Sequence, residues 1–150
     1  MWLTPQSLRL VLLKFLNPDA ETEGRLIRAC RGGDVQSLQA CLEEPQDPSL
    51  PFKFSDDLTL RGLCPIHLLA DQYYEEDCLD LLLEASVEVN KPNPDGKTPL
   101  RLAAQNGHFE AVRDLINADA DLDQATEDGT TPLHIAAQNG HYDVVSCLSD

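Results

Sequence analysis

The sequence has few basic residues, and this shortage limits what the protein can bind. Eleven Lys and Arg stand against 26 Asp and Glu, which gives a formal net charge of −15 with His neutral. Nucleic acids and anionic membrane surfaces attract proteins through positive patches, so the composition argues against both as the main partner. It favours solubility and a partner with basic patches.

Long apolar runs and closely paired cysteines are also missing. No apolar stretch approaches the roughly 18 residues of a membrane-spanning helix, so no membrane span is predicted. The five cysteines are scattered and include no Cys-x-x-Cys pair. An odd number of dispersed thiols, in a chain long enough to bury a core, indicates reduced cysteines and hence the cytoplasm or the nucleus.

Motifs of common catalytic and ligand sites are absent as well. The chain has no Gly-rich phosphate loop and no Gly-x-Ser-x-Gly, and its histidines lack the spacing of metal ligands. The acidic run from Asp119 begins like a calcium loop, but Gln124 replaces the Gly at position six and Thr130 the Glu at position twelve. We therefore predict no catalytic residues, no cofactor and no metal.

What the sequence does contain is an internal repeat of 33 residues. The segments 95–108 and 128–141 are identical in 11 of their 14 columns. A weaker copy begins at Cys64, 34 residues before Thr98, and the helical pattern alone recurs around 23–50. Self-similarity at such a period is the signature of a repeat array.

Each unit predicts a pair of helices. Thr98 suits the N-cap of the first helix, Pro99 its first position, and Gly107 the left-handed turn that ends it. A second helix follows, with Ala111 and Val112 on its inner face. One such unit cannot bury its apolar face alone, whereas stacked units bury a continuous one, so the pattern predicts a solenoid.

These residues resemble the ankyrin repeat family. Its Gly-x-Thr-Pro-Leu-His-x-Ala-Ala pattern is met at Gly129–Ala137, and at Gly96–Ala104 with Arg101 in place of His. The resemblance implies an all-α solenoid of antiparallel helix pairs with β-hairpin or loop fingers. It also implies that His67 and His134, which share one repeat column, hydrogen-bond within their hairpins.

The repeat divides the chain into five predicted segments. We expect an N-terminal amphipathic helix and linker at 1–22, a degenerate capping repeat with a Pro-rich insertion at 23–60, ankyrin repeats at 61–92 and 93–125, and an incomplete repeat at 126–150. The first helix is expected to cover the first helix pair, with a partner-binding helix or a targeting signal as alternatives. The last segment is either a polar cap or the cut end of a longer array.

The resemblance predicts a non-catalytic protein–protein interaction module. Stacked units hold side chains in a fixed array, so little entropy is lost on binding. The family's variable surface aligns here with finger residues and the ends of first helices. The predicted partner-binding residues are Asp71, Gln72, Pro94, Asp95, Lys97, Gln105, Asn106, Glu127, Asp128, Thr130, Gln138 and Asn139. Asp95, Glu127 and Asp128 give this surface a negative edge, which predicts a protein or peptide partner with a basic segment.

Two other functions remain open. The chain could be the substrate-recognition part of a larger enzyme or ubiquitin-ligase adaptor whose effector segment is missing. A self-standing enzyme would depend on Cys64, a thiol at a helix N-terminus, and on His67 three residues later, although no oxyanion motif accompanies them.

Asn90 is a predicted modification site. It lies eight residues after Leu82, a spacing similar to that of ankyrin asparagines that an oxygen-sensing dioxygenase hydroxylates. The alternative is a plain hairpin residue, because short motifs carry little information alone.

Overall fold

The computed structural model describes residues 20–43, 62–71, 76–85 and 87–149. They form eight helices: α1 (Ala20–Gly32), α2 (Val35–Glu43), α3 (Pro65–Asp71), α4 (Glu76–Glu84), α5 (Pro99–Asn106), α6 (Phe109–Asn117), α7 (Pro132–Asn139) and α8 (Tyr142–Ser149). No strand occurs within these ranges. The predicted N-terminal helix and the Pro-rich insertion lie outside them, and the five segment boundaries stay predictions.

The helices form a row of pairs. Each odd-numbered helix packs against the helix that follows it, and each pair contacts the next through first helix to first helix and second helix to second helix. Contacts of this kind, between neighbours along the chain, define a solenoid. The predicted all-α solenoid is confirmed.

A continuous apolar core runs through the row. Leu38 of α2, Leu69 of α3, Leu82 of α4 and Leu115 of α6 are fully buried. Burying one such side chain contributes about 1.5–3 kcal/mol. Alanine accompanies the leucines in α5, where Ala103 has no exposed surface, so neighbouring helices can approach closely.

The ends of α5 follow from its sequence. The Thr98 hydroxyl accepts a hydrogen bond from the Arg101 N–H at 3.3 Å, and Pro99 occupies the first turn. Gly107 ends the helix with φ of 75°, a conformation that costs a residue with a Cβ about 1–2 kcal/mol. Helix α7 is capped by the equivalent residues, so the near-identical segments form the same local structure.

Side chains tie successive first helices together. The Asn106 amide donates to the Asp71 carbonyl at 2.7 Å, and the Asn139 amide donates to the Gln105 carbonyl at 2.8 Å. His141 Nε2 lies 2.9 Å from the same Gln105 carbonyl. These bonds fix the spacing of the helix pairs and hence the spacing of the loop residues between them.

Candidate partner-binding surface

Two fingers, 93–97 and 126–130, carry the outer part of the predicted surface. In the first, Asn93 N donates to Lys97 O at 2.9 Å and Gly96 N donates to Asn93 O at 2.9 Å. The second repeats this pattern with bonds of 3.1 and 2.8 Å. The fingers that the resemblance implied are therefore present as hydrogen-bonded turns.

A side chain within each finger holds its shape. Asn93 Oδ1 accepts from the Asp95 N–H at 3.0 Å. In the second finger, Asp128 Oδ1 accepts from the Thr130 N–H at 3.0 Å and from the Thr126 hydroxyl at 2.5 Å. Both fingers are fixed by their own bonds, so a partner would not have to order them.

The fingertips carry negative charge. Asp95, Glu127 and Asp128 are exposed, whereas the cation Lys97 is half-buried. Hydrogen bonds lower the pKa of Asp128 to about 2. The bond from the Thr126 hydroxyl contributes most, followed by bonds from the backbone and the side chain of Thr130. Asp128 is therefore ionised throughout the physiological pH range.

The other predicted residues lie elsewhere in the fingers and at the ends of the first helices. Pro94, Asn106, Gln138 and Asn139 are exposed, and Asp71, Gln105 and Thr130 are half-buried. Gln72 lies outside the described residues. Because the amide nitrogens of Asn106 and Asn139 already hold the preceding helix, any role of these two residues in binding would use their remaining atoms.

Arg101 lies beneath this surface and is missing from the residues predicted from sequence. Its side chain is 6% exposed, and its Nη1 donates to the Gln105 side-chain oxygen at 3.2 Å. Its positive charge also contributes to the lowered pKa of Asp128. The sequence does mark this position, because Arg101 occupies the repeat column in which the other two units have His67 and His134.

Comparison with known proteins decides the family. The model for ankyrin repeats, in three copies, matches residues 26–126 and 66–150. The chain belongs to the ankyrin repeat family.

Two proteins with similar sequences come from plants. Over 93 residues the chain is 41% identical to the probable E3 ubiquitin-protein ligase XBOS32 of Oryza sativa subsp. japonica. It is 37% identical, also over 93 residues, to the E3 ubiquitin-protein ligase XBAT33 of Arabidopsis thaliana. Each alignment covers 61% of this chain but only 17% of the relative, so the chain spans a small part of both.

His67 has a structural place in the ankyrin unit. Its Nδ1 accepts from the Cys64 backbone N–H at 2.9 Å, which leaves Nε2 to donate to the Lys91 carbonyl at 2.8 Å. Burial is the main cause that lowers the pKa of His67. Since both ring nitrogens bind the backbone, His67 has no nitrogen available as a base toward the Cys64 thiol, which is itself buried with its residue 1% exposed.

Asn90 joins two successive loops of the ankyrin array. Its Oδ1 accepts from the Asp121 N–H at 2.8 Å, and its Nδ2 donates to the Asp119 carbonyl at 3.4 Å. Asp119 has φ of 62°, the left-handed conformation that Asp tolerates. The side chain of Asn90 is exposed, and its modification stays a prediction.

The described ranges contain neither a metal-binding cluster nor a membrane-spanning helix. There, no three His, Cys, Asp or Glu side chains group closely enough to hold a metal ion. No helix in the same ranges is long and apolar enough to cross a bilayer. All five cysteines lie within them as reduced thiols, and burial, followed by the nearby Cys78 and Cys41, strongly raises the pKa of Cys30.

Proposed function

We propose that this ankyrin chain is a non-catalytic binding module that presents a rigid acidic surface to a basic segment of a partner protein. The observation that carries it is the pair of preformed fingers with exposed acids at their tips. Asp95 and Asp128 occupy the same kind of turn one repeat apart, and both are exposed. A flexible basic segment could contact both at once.

The fixed spacing of the units supports this role. The amides of Asn106 and Asn139 hold successive first helices in register, and Asn90 holds successive loops. Preorganised charges attract an oppositely charged partner and lose little entropy when it binds.

Charge reversal at the fingertips tests the proposal. The probe is a fluorescent peptide rich in Lys and Arg, and binding is followed by anisotropy. We expect Asp95→Lys with Asp128→Lys to weaken binding about tenfold or more, since exposed ion pairs contribute up to about 1 kcal/mol each and the new charges repel. Asp80→Lys with Glu84→Lys on α4 makes the same change in net charge away from the fingers and serves as the control.

The control and the salt dependence decide the outcome. Binding by the α4 variant should weaken less than twofold, and binding by the native chain should fall as ionic strength rises. An equal loss of peptide binding in both variants would show that the peptide is attracted by net charge alone. Binding that does not change with ionic strength would contradict an acidic contact surface.

A second candidate function is substrate recognition for ubiquitin transfer, as part of a larger enzyme or adaptor. It is favoured by the two relatives named as E3 ubiquitin-protein ligases. Proteins captured by the native chain but not by the fingertip variant should then lose ubiquitin-modified lysines when the chain is depleted in cells. If the ubiquitin modification of these captured proteins does not change, the chain does not recognise them as substrates for ubiquitin transfer.

We also propose that the chain works in the cytoplasm or the nucleus. Five reduced thiols, four of them buried, support a reducing compartment. Fluorescence microscopy of the tagged chain tests this, and a signal confined to the secretory pathway would exclude it.

A further inference from the structure

The α1–α2 pair contains a groove with charged walls. Its volume is about 320 Å³, and the residues that line it include Arg25, Arg28, Asp34, Ser37 and Ala40. Arg28 and Ser37 are exposed, and Arg25 is half-buried. Two arginines thus line one small groove in a chain that has 15 more acidic than basic residues.

The internal repeat shows that this groove replaces an apolar surface. When Gly33 is aligned with Gly107, Arg28 falls in the column of Leu102 and Ser37 in the column of Ala111. Leu102 is 4% exposed and Ala111 has no exposed surface, because α5 and α6 have neighbours on both sides. A polar cap alone would explain the loss of apolar residues, but it would not require two arginines around a groove.

The negative wall of the groove is already engaged. The carboxylate of Asp34 accepts from both the backbone N–H and the hydroxyl of Ser37, and the bond from the hydroxyl is the main cause that lowers the pKa of Asp34. Asp34 therefore caps α2 and leaves no vacant helix terminus there. No hydrogen bond or ion pair links the Arg28 guanidinium to another described residue.

We propose that this groove binds an anionic side chain of a partner protein, with Arg28 as the main contact and Arg25 as the second. A guanidinium presents paired N–H donors that match the two oxygens of a carboxylate or a phosphate group. Ligand sites range from roughly 300 to 1,000 Å³, so this groove suits a single side chain. The site shares no residue with the fingers, and its test is independent of theirs.

Three peptides that differ at one central residue distinguish the anion sources. They carry Glu, phosphoserine or uncharged Gln, and binding is followed by NMR shifts of the backbone amides of Arg28, Ser37 and Ala40. We expect the Glu peptide, the phosphoserine peptide or both to shift these amides, and the Gln peptide to leave them unchanged. Which anionic peptide binds identifies the carboxylate or the phosphate as the ligand.

Variants with opposite expected effects make the test sharp. Arg28→Ala should weaken binding about tenfold, as expected for loss of a charge-assisted bond, and Arg28→Lys should weaken it less. Asp34→Asn should tighten binding, because it removes the negative wall while Asn still caps α2. Arg31→Ala is the matched control, since Arg31 is also exposed on α1 but does not line the groove.

Several results would overturn the assignment. They are the absence of binding by both anionic peptides at millimolar concentration, equal binding of the Gln peptide, and equal losses in the Arg28 and Arg31 variants. Weaker binding after Asp34→Asn would also overturn it, provided that circular dichroism shows the variant folded.

Discussion

At the scale of single residues, His67 shows how burial gives a side chain a pH-dependent role. Its pKa in the folded chain lies below the ordinary 6.5, chiefly because of burial. Above pH about 6.5 the ring is neutral in both folded and unfolded chains. As the pH falls below this value, only the unfolded chain takes up the proton, so the stability contributed by His67 is lost progressively toward its folded pKa.

We predict that His67→Gln removes part of this pH dependence. The substitution should also destabilise the chain by about 2 kcal/mol at neutral pH, because two backbone groups lose buried partners. Urea unfolding at a series of pH values between about 5 and 7.5 measures both effects. His134→Gln, at an exposed position of the same repeat column, is the control, and an identical pH slope in the His67 variant and the native chain would disprove the prediction.

Asn90 is the second residue with a distinct prediction. We expect co-expression with the oxygen-sensing dioxygenase that hydroxylates ankyrin asparagines to add one oxygen atom to Asn90, because this residue is exposed at the end of a unit. Mass spectrometry of the peptide that carries Asn90 tests this, and Asn93 in the neighbouring finger is an internal control. Unmodified Asn90 under conditions that modify a known substrate would end the hypothesis.

At the scale of helices and turns, the sequence was a good guide wherever neighbours along the chain decide the structure. The Thr98–Pro99 start and the Gly107 end of α5 could be read from residue type, because capping bonds span three or four residues. The hydrogen bond from the Asn106 side chain to the preceding first helix could not be predicted in this way, since its partner Asp71 lies 35 residues away. Arg101 was missed for the same reason: its effect on Asp128 depends on how two units pack.

Gly107 and Gly140 give a matched test of this packing. Both end a first helix, with φ of 75° and 76°. A Cβ at Gly107 would lie 2.6 Å from Nδ1 of His141, whereas nothing lies within 4 Å of a Cβ at Gly140. We predict that Gly140→Ala costs about 1 kcal/mol of backbone strain and that Gly107→Ala costs about 1–3 kcal/mol more from the clash.

Denaturant unfolding of both variants measures these costs. Repeating Gly107→Ala in a His141→Ala background should remove most of the difference, because the ring that causes the clash is gone. Equal costs for the two glycine variants would mean that the backbone relaxes around the new methyl group.

At the scale of the whole molecule, the repeat predicted the architecture but not the different environments of equivalent residues. Leu100 and Leu133 occupy the same column and follow the same Thr-Pro start. Leu100 is 1% exposed and Leu133 is 36% exposed. The alanines four residues later show the same difference, since Ala104 is buried and Ala137 is exposed. Nearly identical local sequence therefore meets a neighbouring helix pair in one case and solvent in the other.

The two leucines supply a prediction about how stability is distributed along the row. Leu100→Ala removes contacts inside the core and should cost about 2–5 kcal/mol. Leu133→Ala removes a side chain that is already partly solvated, so it should cost less than about 1.5 kcal/mol. Urea unfolding of the two variants compares them with local helix sequence held nearly constant. If both substitutions cost the same, the stability of a unit would come from its own two helices, and stacking between pairs would not be the main source of order in this chain.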